Sequence, residues 1–327
     1  MTKHFVTFFP KAILLLALSG CNSAPEPYTA TGQAFSRPLE VTVQGVAQPR
    51  ANEAAQSAIE DLLFIAEVSH PWKPGPLGRT NQLFTFESRF SANPSILPMI
   101  RKAAALAEKT GGYYAPHLGK LQQLWGFHSE FPEASTPDRE EIEAILDSHP
   151  QMSDIQIHGI RMQSTNAELR IDFGAFAQGY ALDTARQRLQ EQGIHHARIA
   201  NGNAVVALGD GWTYTLPTQP EQTLPLHDGE AAVTLTTEGH AFDSNDAHPY
   251  LDPATGYPSK GLRSVTVIHS SAADAAAIAQ ALLAGGEEKL NEQLAVIPVE
   301  FALITTIEGK SVTTPGLDSR IVDVRNR

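Results

Sequence analysis

The stretch Ile171–Asp183 combines residue types and spacing that suit the binding of a phosphate group. It has a short run of small residues, Gly174, Ala175, Ala177 and Gly179, directly before a helical pattern. A helix that begins at such a turn directs backbone N–H groups and the positive end of its dipole toward an anion. The same small residues would also let a helix pack closely against its neighbours. The residue types alone leave both interpretations open.

Two elements must position this turn. Upstream, Glu168–Ile171 alternates polar and apolar residues, which is typical of a half-buried strand. Downstream, Leu182, Ala185 and Leu189 recur at helical spacing, and we expect the helix to end near Gly193, a residue that adopts the left-handed closing conformation easily. A strand, a turn and a helix therefore follow one another in close succession.

The segment Ile171–Asp183 resembles the signature of the ApbE family of FAD:protein FMN transferases, which usually reads Asp-Leu/Phe-Gly-small-Ile-Ala-Lys-Gly-Tyr-Ala-hydrophobic-Asp. Gln178 stands where the family has Lys. The resemblance extends with gaps over roughly residues 31–320. It implies that flavin-nucleotide contacts come from Asp172, Gly174, Ala175, Gly179 and Tyr180.

Further segments are similar to other family motifs. Leu124–Phe127 matches Leu-Trp-Gly-Phe, and Asn81 fits a flavin-side loop that we expect over Trp72–Asn81. Gly202 lies where the family has a ligand-binding Asn-x-Gly-Gly loop, although the residues here favour a β-turn that contacts no ligand. Gly239 falls in a segment where the family reads Thr-Ser-Gly-Asp.

The segment Asp252–Pro258 is the second strong match, to Asp-Pro-x-Thr-Gly-x-Pro. In the family a His precedes it, and here His248 lies one residue earlier than that position. The resemblance implies that Thr255 contacts the cofactor and that Asp252 or His248 aids proton transfer as a catalytic group. An Asp-Pro-x-Thr-Gly run by itself is also typical of a turn capped by the Asp side chain.

The Ala-rich segment around Asp274 implies a magnesium site. Family members carry Ala-Asp-x-x-x-Thr there, and Ile278 takes the place of the Thr. The resemblance implies that Asp274 and the carbonyl of Ala177 are the remaining metal ligands, with waters completing the shell of Mg²⁺.

The activity implied by the resemblance is transfer of FMN from FAD, as substrate, to a protein. A Thr or Ser hydroxyl of an acceptor flavoprotein attacks the FMN phosphorus and expels AMP, with Mg²⁺ as cofactor. Because Gln178 and Ile278 lack the usual groups, two alternatives stay open. One is a divergent protein that binds flavin without turnover, and the other is a lipoprotein of this fold that acts only as an envelope interaction module.

The N-terminus predicts export. Lys3 and Lys11 accompany the short apolar run Ala12–Leu18, and Leu18–Cys21 resembles a bacterial lipobox. We therefore expect a lipoprotein signal peptide over residues 1–20, a tether lipidated at Cys21 over 21–32, and one catalytic domain over 33–327 in the cell envelope, facing the periplasm. A net charge of −12 without a Lys/Arg run excludes nucleic-acid binding through phosphate neutralisation.

The remaining patterns predict an α+β fold of the ApbE type, with mixed sheets, packed helices and a cleft between two lobes. We expect helices over Asn52–Ser69, from Asn93–Pro94 to Gly111–Gly112, from Thr136–Pro137 to Ser148, and over Ala272–Leu283. Strands are expected over Leu39–Val46, Ile155–Arg161, Ala197–Ala200, Ala204–Leu208, Ala231–Thr236, Ser264–His269, Phe301–Ile307 and Arg320–Val324.

Overall fold

The structure is a computed structural model that describes residues 25–86, 88–128, 136–238 and 247–323. The strands are β1 Tyr28–Ala34, β2 Arg37–Val43, β3 Phe90–Ser91, β4 Ile155–His158, β5 Arg161–Ser164, β6 Ala197–Asn201, β7 Ala204–Leu208, β8 Trp212–Leu216, β9 Gln219–Leu226, β10 Ala231–Thr236, β11 Leu262–His269, β12 Phe301–Thr306, β13 Ser311–Thr313 and β14 Val322–Asp323. The helices are α1 Gln48–Val68, α2 Pro76–Phe84, α3 Leu97–Lys109, α4 Gly119–Leu124, α5 Arg139–Asp147, α6 Ala175–Glu191, α7 Ala272–Gly285 and α8 Leu290–Val296.

An eight-stranded sheet in the order β1-β2-β6-β7-β10-β11-β12-β13 organises the chain, and its strand pairs are antiparallel. Two three-stranded sheets, β14-β9-β8 and β3-β5-β4, accompany it. The α+β architecture is confirmed. We expected mixed sheets. Among the described residues, parallel pairing occurs in an isolated bridge between Leu118 and Arg170.

Central strand β7 is buried along its whole length because both faces of the sheet are covered. Successive strand residues point to opposite faces. Val206 accordingly joins the main core, whereas Val205 and Ala207 join a second cluster with Tyr214 of β8 and Leu224 of β9. Helices α1, α6 and α7 pack together on the main-core side. The sheet is thus the middle layer, and α6 is held between two other helices.

A third, smaller apolar cluster forms around helices α4 and α5. Trp125 and Ile142 pack there with Leu251, and the Trp125 indole N–H donates to the carbonyl of Gly256 at 2.8 Å. This contact ties the Leu124–Phe127 match to the Asp252–Pro258 match, which are far apart in the sequence. Both segments are therefore fixed on one side of the molecule.

Two sequence-based boundaries need correction because a proline lies at the first turn of a helix. Helix α1 begins at Gln48 rather than Asn52, with Pro49 in its first turn, and Asn52 instead accepts a hydrogen bond from the Tyr28 hydroxyl at 2.7 Å. Our prediction of a loop over Trp72–Asn81 is wrong from Pro76 onward, where α2 begins. Proline suits the first helical turn, where its missing N–H costs nothing.

Two predicted strands also differ. Ile155–Arg161 is not one strand, because Gly159 at φ 64° reverses the chain between β4 and β5. Glu168–Ile171 is not a strand, since only the isolated bridge at Arg170 pairs it with a neighbour. Its alternation reflects burial of Leu169 and Ile171 in the core.

The remaining helix and strand boundaries agree with expectation to within a few residues. Helix α3 begins at Leu97, after a turn in which Asn93 accepts the Ser95 N–H. At the C-terminal end, β14 covers only Val322–Asp323, and the expected end at Val324 lies outside the described residues. Within the described ranges, no helix is long and apolar enough to cross a membrane.

Candidate active site

A cleft of about 520 Å³ lies beside the N-terminus of α6. This volume is in the range of small-molecule binding sites. Its lining comes from many parts of the chain and includes Arg37, Trp72, Lys73, Tyr114, Phe127, Asp172, Gly174, Ala175, Ala177, Gln178, Asn203, Leu235, Tyr250 and Gln280. The predicted phosphate turn therefore forms one wall of the cleft.

Gly174 gives this turn its shape. Its φ of 55° and ψ of −138° lie in a region that only glycine adopts without strain. A Cβ added here would also lie 2.4 Å from Nε2 of Gln280, a residue of α7. The sharp entry into α6 therefore requires glycine at this position, and any other residue would also force the Gln280 side chain to move.

Two N–H groups at this turn already have side-chain partners within the protein, although we expected the turn to direct its N–H groups toward an anion. Gly174 N–H donates to Oδ1 of Asp172 at 2.9 Å, and Phe176 N–H donates to Oε1 of Gln280 at 3.0 Å. An amide oxygen thus occupies a position suited to a phosphate oxygen. A phosphate that binds Phe176 N–H must displace the Gln280 side chain.

Asn81 acts as a buried clamp rather than as part of the cleft wall. Its Oδ1 accepts the Ile171 N–H at 2.8 Å, and its Nδ2 donates to the Ile171 carbonyl at 2.8 Å and to the Pro71 carbonyl at 3.1 Å. Ile171 precedes Asp172, and Pro71 precedes Trp72. Asn81 therefore fixes two segments that line the cleft, although it is not itself a lining residue.

Asp172 connects the turn to an aromatic group. Its Oδ2 lies 2.7 Å from Nε2 of His128, and the His128 ring stacks on Trp72 with centroids 4.6 Å apart. Burial acts to raise the pKa of Asp172, but the hydrogen bond and charge of His128 and the Gly174 N–H outweigh it and lower that pKa. Asp172 is consequently a carboxylate at neutral pH.

Four predicted site residues line the cleft together, namely Asp172, Gly174, Ala175 and Ala177. Gly179 and Tyr180 lie outside it. A Cβ on Gly179 would be 2.3 Å from the carbonyl oxygen of Ala272, so this glycine serves the close packing of α6 on α7. The packing interpretation thus applies to Gly179, whereas Gly174 faces the cleft.

The structure does not bring the three predicted residues of the second motif into the cleft. Asp252 accepts the Ala254 N–H and forms an ion pair with Lys289 at 2.7 Å, as in a side-chain-capped turn. Thr255 lies in the same exposed turn. His248 is 6% exposed, with Nε2 3.0 Å from the Ser259 carbonyl and Nδ1 accepting the Tyr250 N–H. These groups hold the backbone of the turn.

Asp274 also lies outside the cleft lining, at the start of α7. Its carboxylate pairs with Lys102 at 2.7 Å and Lys109 at 3.7 Å, and it accepts from the Ser271 hydroxyl at 2.8 Å. Among the described residues, no group of three or more His, Cys, Asp or Glu side chains is placed to hold a metal ion. Asp274 is thus paired with two lysines, and its role as a metal ligand stays an implication of the resemblance.

The two remaining predicted glycines are Gly202, which the structure describes, and Gly239, which lies outside the described residues. Gly202 has φ 55° in the turn between β6 and β7, where an added Cβ would contact the side chain of Arg37. It is thus a turn residue that supports a cleft-lining arginine.

Sequence reasoning missed several residues that line or adjoin the cleft. Gln280 had a detectable signal, since it is the one polar side chain in the apolar run from Ala275 to Ala284. Arg37 and Lys73 come from segments far from the strong motifs, and they bring positive charge to the cleft lining. His128 directly follows the Leu124–Phe127 match, and only the fold shows that it meets Asp172.

The model of the ApbE family matches residues 36–302 of this chain, so the chain belongs to the ApbE family. Two of its relatives are named FAD:protein FMN transferase. The one from Rhodobacter capsulatus is 29% identical over 91% of this chain, and the chain spans 59% of that relative's length. The one from Vibrio cholerae is 26% identical, with 84% of this chain and 86% of the relative covered.

Solved structures of ApbE proteins share the fold. The ApbE protein of Thermotoga maritima superposes with a TM-score of 0.79 at 24% identity, covering 90% of this chain and 99% of that one. The apo flavinyl transferase ApbE of Pseudomonas stutzeri gives a TM-score of 0.78 at 20% identity, with 92% and 99% covered. At these identities the similarity establishes the fold alone.

Proposed function

We propose that this chain is an FAD:protein FMN transferase. A Thr or Ser hydroxyl of an exported acceptor flavoprotein attacks the FMN phosphorus of FAD, a new P–O bond forms, and the bond to AMP breaks. The main structural evidence is the cleft beside the Gly174 turn at the N-terminus of α6. This cleft lies in a chain of the ApbE family. The names of the relatives support the same reaction.

The cleft suits a diphosphate for electrostatic reasons. Arg37 and Lys73 line it and offset the negative charge of the two phosphates. The N-terminus of α6 adds its dipole at Gly174 and Ala175. Charge that develops on the leaving phosphate during transfer would be stabilised by the same groups.

Magnesium dependence rests on the resemblance alone, since the described residues contain no group of three or more His, Cys, Asp or Glu side chains that could hold a metal ion and Asp274 is paired with two lysines. Chelation with EDTA tests the dependence. Loss of AMP release that added magnesium restores would support it, and an unchanged rate would refute it.

The proposed place of action is the periplasmic face of the bacterial envelope, with the chain anchored through a lipidated Cys21. The lipobox-like Leu18–Cys21 supports this proposal. Radiolabelled palmitate fed to producing cells is expected to label the wild type and not a Cys21→Ala variant. Equal labelling of both would contradict the anchor.

Binding and cleavage of FAD are separable by experiment. Calorimetric titration of the full-length chain with FAD measures affinity, and a coupled assay for AMP measures cleavage in the presence of an exported acceptor flavoprotein. Binding with AMP release is the expected result. No binding would refute the proposal.

A second candidate is a flavin-binding protein of this fold without turnover. It is favoured by one observation, namely that His248 and Asp252 are engaged in holding a turn and lie outside the cleft lining. Tight FAD binding without AMP release, with and without magnesium and with every acceptor tried, would establish this candidate instead.

A further inference from the structure

We infer that Gln280 is a substrate-binding residue whose side-chain amide donates a hydrogen bond to a phosphate oxygen of bound FAD. This inference rests on the proposed function and deepens it, because the diphosphate is the part of FAD at which the transfer takes place. Gln280 lies on α7 and lines the cleft. Helix α7 therefore contributes to FAD affinity beside the turn that leads into α6.

Helix α7 is apolar on both sides of Gln280. Every other residue in the run from Ala275 to Ala284 is Ala, Leu or Ile, and most of this run is buried in the main core. Gln280 and Ala284, one helical turn apart, are the members of the run that line the cleft. A polar side chain on such a helix is favourable only where its amide finds partners. The question is therefore what the two ends of the Gln280 amide bind.

The contact with α6 decides which end of the amide is the oxygen. The Gln280 side chain accepts the backbone N–H of Phe176 at 3.0 Å. A backbone N–H only donates, so the amide oxygen Oε1 must occupy this position and the amide nitrogen cannot. The hydrogen bond thus fixes the orientation of the side chain. Nε2, with its two N–H donors, is the end that stays available.

Nε2 has no hydrogen-bond partner in the part of the chain that the structure describes. It is also not one of the buried side-chain atoms left without a partner, so solvent or a ligand reaches it. A Cβ built on Gly174 would lie 2.4 Å from Nε2, and Gly174 also lines the cleft. The unused donors are therefore in the cleft, beside the Gly174 turn.

The surroundings of Nε2 favour an anionic acceptor. An amide donor binds any oxygen, but the N-terminus of α6 lies beside this one, and the helix dipole stabilises negative charge there. Arg37 and Lys73 add positive charge to the same cleft lining. A hydrogen bond to a charged oxygen is also stronger than one to a neutral carbonyl. The phosphate oxygens of FAD are consequently the acceptors that suit Nε2 best.

Binding through Nε2 leaves the existing hydrogen bond intact. A phosphate that took the Phe176 N–H directly would break the bond to Oε1 and displace the whole side chain. A phosphate that accepts from Nε2 keeps that bond and adds a second one. The Phe176 N–H also polarises the amide, which strengthens the donors on Nε2. Gln280 thus transmits the donor character of the α6 turn to the ligand.

The test is calorimetric titration of the full-length chain with FAD, for the wild type and for Gln280→Glu and Gln280→Met. Glu keeps an acceptor for the Phe176 N–H, but it loses the donors and adds a negative charge beside the phosphates. Met has a similar size and no donor. A hydrogen bond to a charged group changes affinity roughly ten- to one-hundred-fold, so we expect about a ten-fold loss for Met and about a 100-fold loss for Glu.

Urea unfolding separates a ligand contact from a structural role. Gln280→Glu should match or exceed the wild type in stability, because the carboxylate accepts the Phe176 N–H and faces the N-terminus of α6. Gln280→Met should be less stable, since it leaves that N–H without an acceptor. A residue that only supports the turn would instead give stability and FAD affinity that rise and fall together.

Gln190→Glu is the matched control for the change in charge. Gln190 is exposed near the other end of α6 and outside the cleft lining. It lies about 22 Å along the helix from Ala175, which exceeds the Debye length of about 8 Å in physiological salt. Its FAD affinity should therefore match the wild type. An equal loss in Gln190→Glu and Gln280→Glu would show an effect of net charge and overturn the contact.

Competition by ADP locates the contact on the ligand, because ADP carries a diphosphate and no flavin. The loss of ADP affinity in the Gln280 variants should equal the loss of FAD affinity. Unchanged ADP affinity, alongside weakened FAD binding, would place the amide against the flavin and overturn the phosphate contact.

The outcomes separate this inference from the function on which it rests. A wild type that binds no FAD refutes the proposed function and this inference with it. FAD binding without AMP release refutes the transferase and leaves the contact standing. A Gln280→Met variant that binds FAD as tightly as the wild type, or more tightly, refutes the contact alone, because the side chain would then only block the Phe176 N–H. Weaker FAD binding by both variants, with the stability of Gln280→Glu intact, supports the inference.

Discussion

Replacement of Asn81 by Ala should destabilise the protein and weaken FAD binding together. The side chain is 5% exposed and makes three hydrogen bonds to backbone groups of Ile171 and Pro71. Leaving a buried backbone group without its partner costs about 1–3 kcal/mol. The N–H and C=O of Ile171 would both lose a partner, so we expect the free energy of unfolding to fall by about 2–6 kcal/mol.

The effect on binding follows from what Asn81 holds in place. Ile171 leads into Asp172 and Pro71 leads into Trp72, and both of these line the cleft. Asn81→Asp keeps an acceptor for the Ile171 N–H but loses both donated hydrogen bonds. We expect FAD affinity to fall about ten-fold for Asn81→Ala, which is about 1.4 kcal/mol, and by less for Asn81→Asp.

Urea unfolding measures the stability, and titration with FAD measures the affinity. Asn166→Ala is the matched control, since Asn166 donates to the Ser148 carbonyl at 2.8 Å and accepts the Glu168 N–H at 3.0 Å, away from the cleft. It should lose stability and keep FAD affinity. A loss below about 1 kcal/mol for Asn81→Ala, with wild-type affinity, would refute this reasoning.

Gly179→Ala should cost about 1–3 kcal/mol of stability or more, measured by urea unfolding, because its Cβ would lie 2.3 Å from the Ala272 carbonyl oxygen and force α6 from α7. Gly32→Ala is the control for a glycine without tight packing, because its added Cβ would lie at ordinary contact distances of 3.9 Å from Ile59 and 4.0 Å from Leu39. It should cost less, and equal costs would contradict the packing argument. The lowered pKa of Asp172 stabilises the fold above the unfolded-state pKa of the carboxyl, and this contribution is lost as the pH falls through the folded-state pKa. As the pH falls below the ordinary carboxyl pKa of 3.8, the wild type should therefore lose more stability than Asp172→Asn in acid titrations followed by circular dichroism. Parallel losses would argue against the paired carboxylate.

The turn before α6 and most of the sheet could be predicted from the sequence. These features depend on residues that are close together in the chain. Gly174 sits between a buried segment and a helical repeat, and the strand β7 is a short apolar run between turns. Helix α2 is not predicted from the sequence because Pro76 is typical of a loop as well as of the first residue of a helix. Local pattern cannot distinguish these two uses of proline.

The site was only partly predictable because side-chain partners come from distant segments. Asp274 matches a family ligand in sequence, yet Lys102 of α3 neutralises it once α3 packs near α7. His128 and Asp172 are 44 residues apart, and no spacing rule connects them. What a residue contacts across the fold decides its role, and this information is absent from a single sequence.

If this chain is the proposed transferase, FMN leaves FAD and becomes attached to another protein. The most direct measurement is mass spectrometry of an exported flavoprotein from the same organism, produced with and without the full-length chain. We expect a single FMN joined through a phosphoester to one Thr or Ser, only when the chain is present. An acceptor that remains unmodified, alongside a chain that binds FAD, would contradict it.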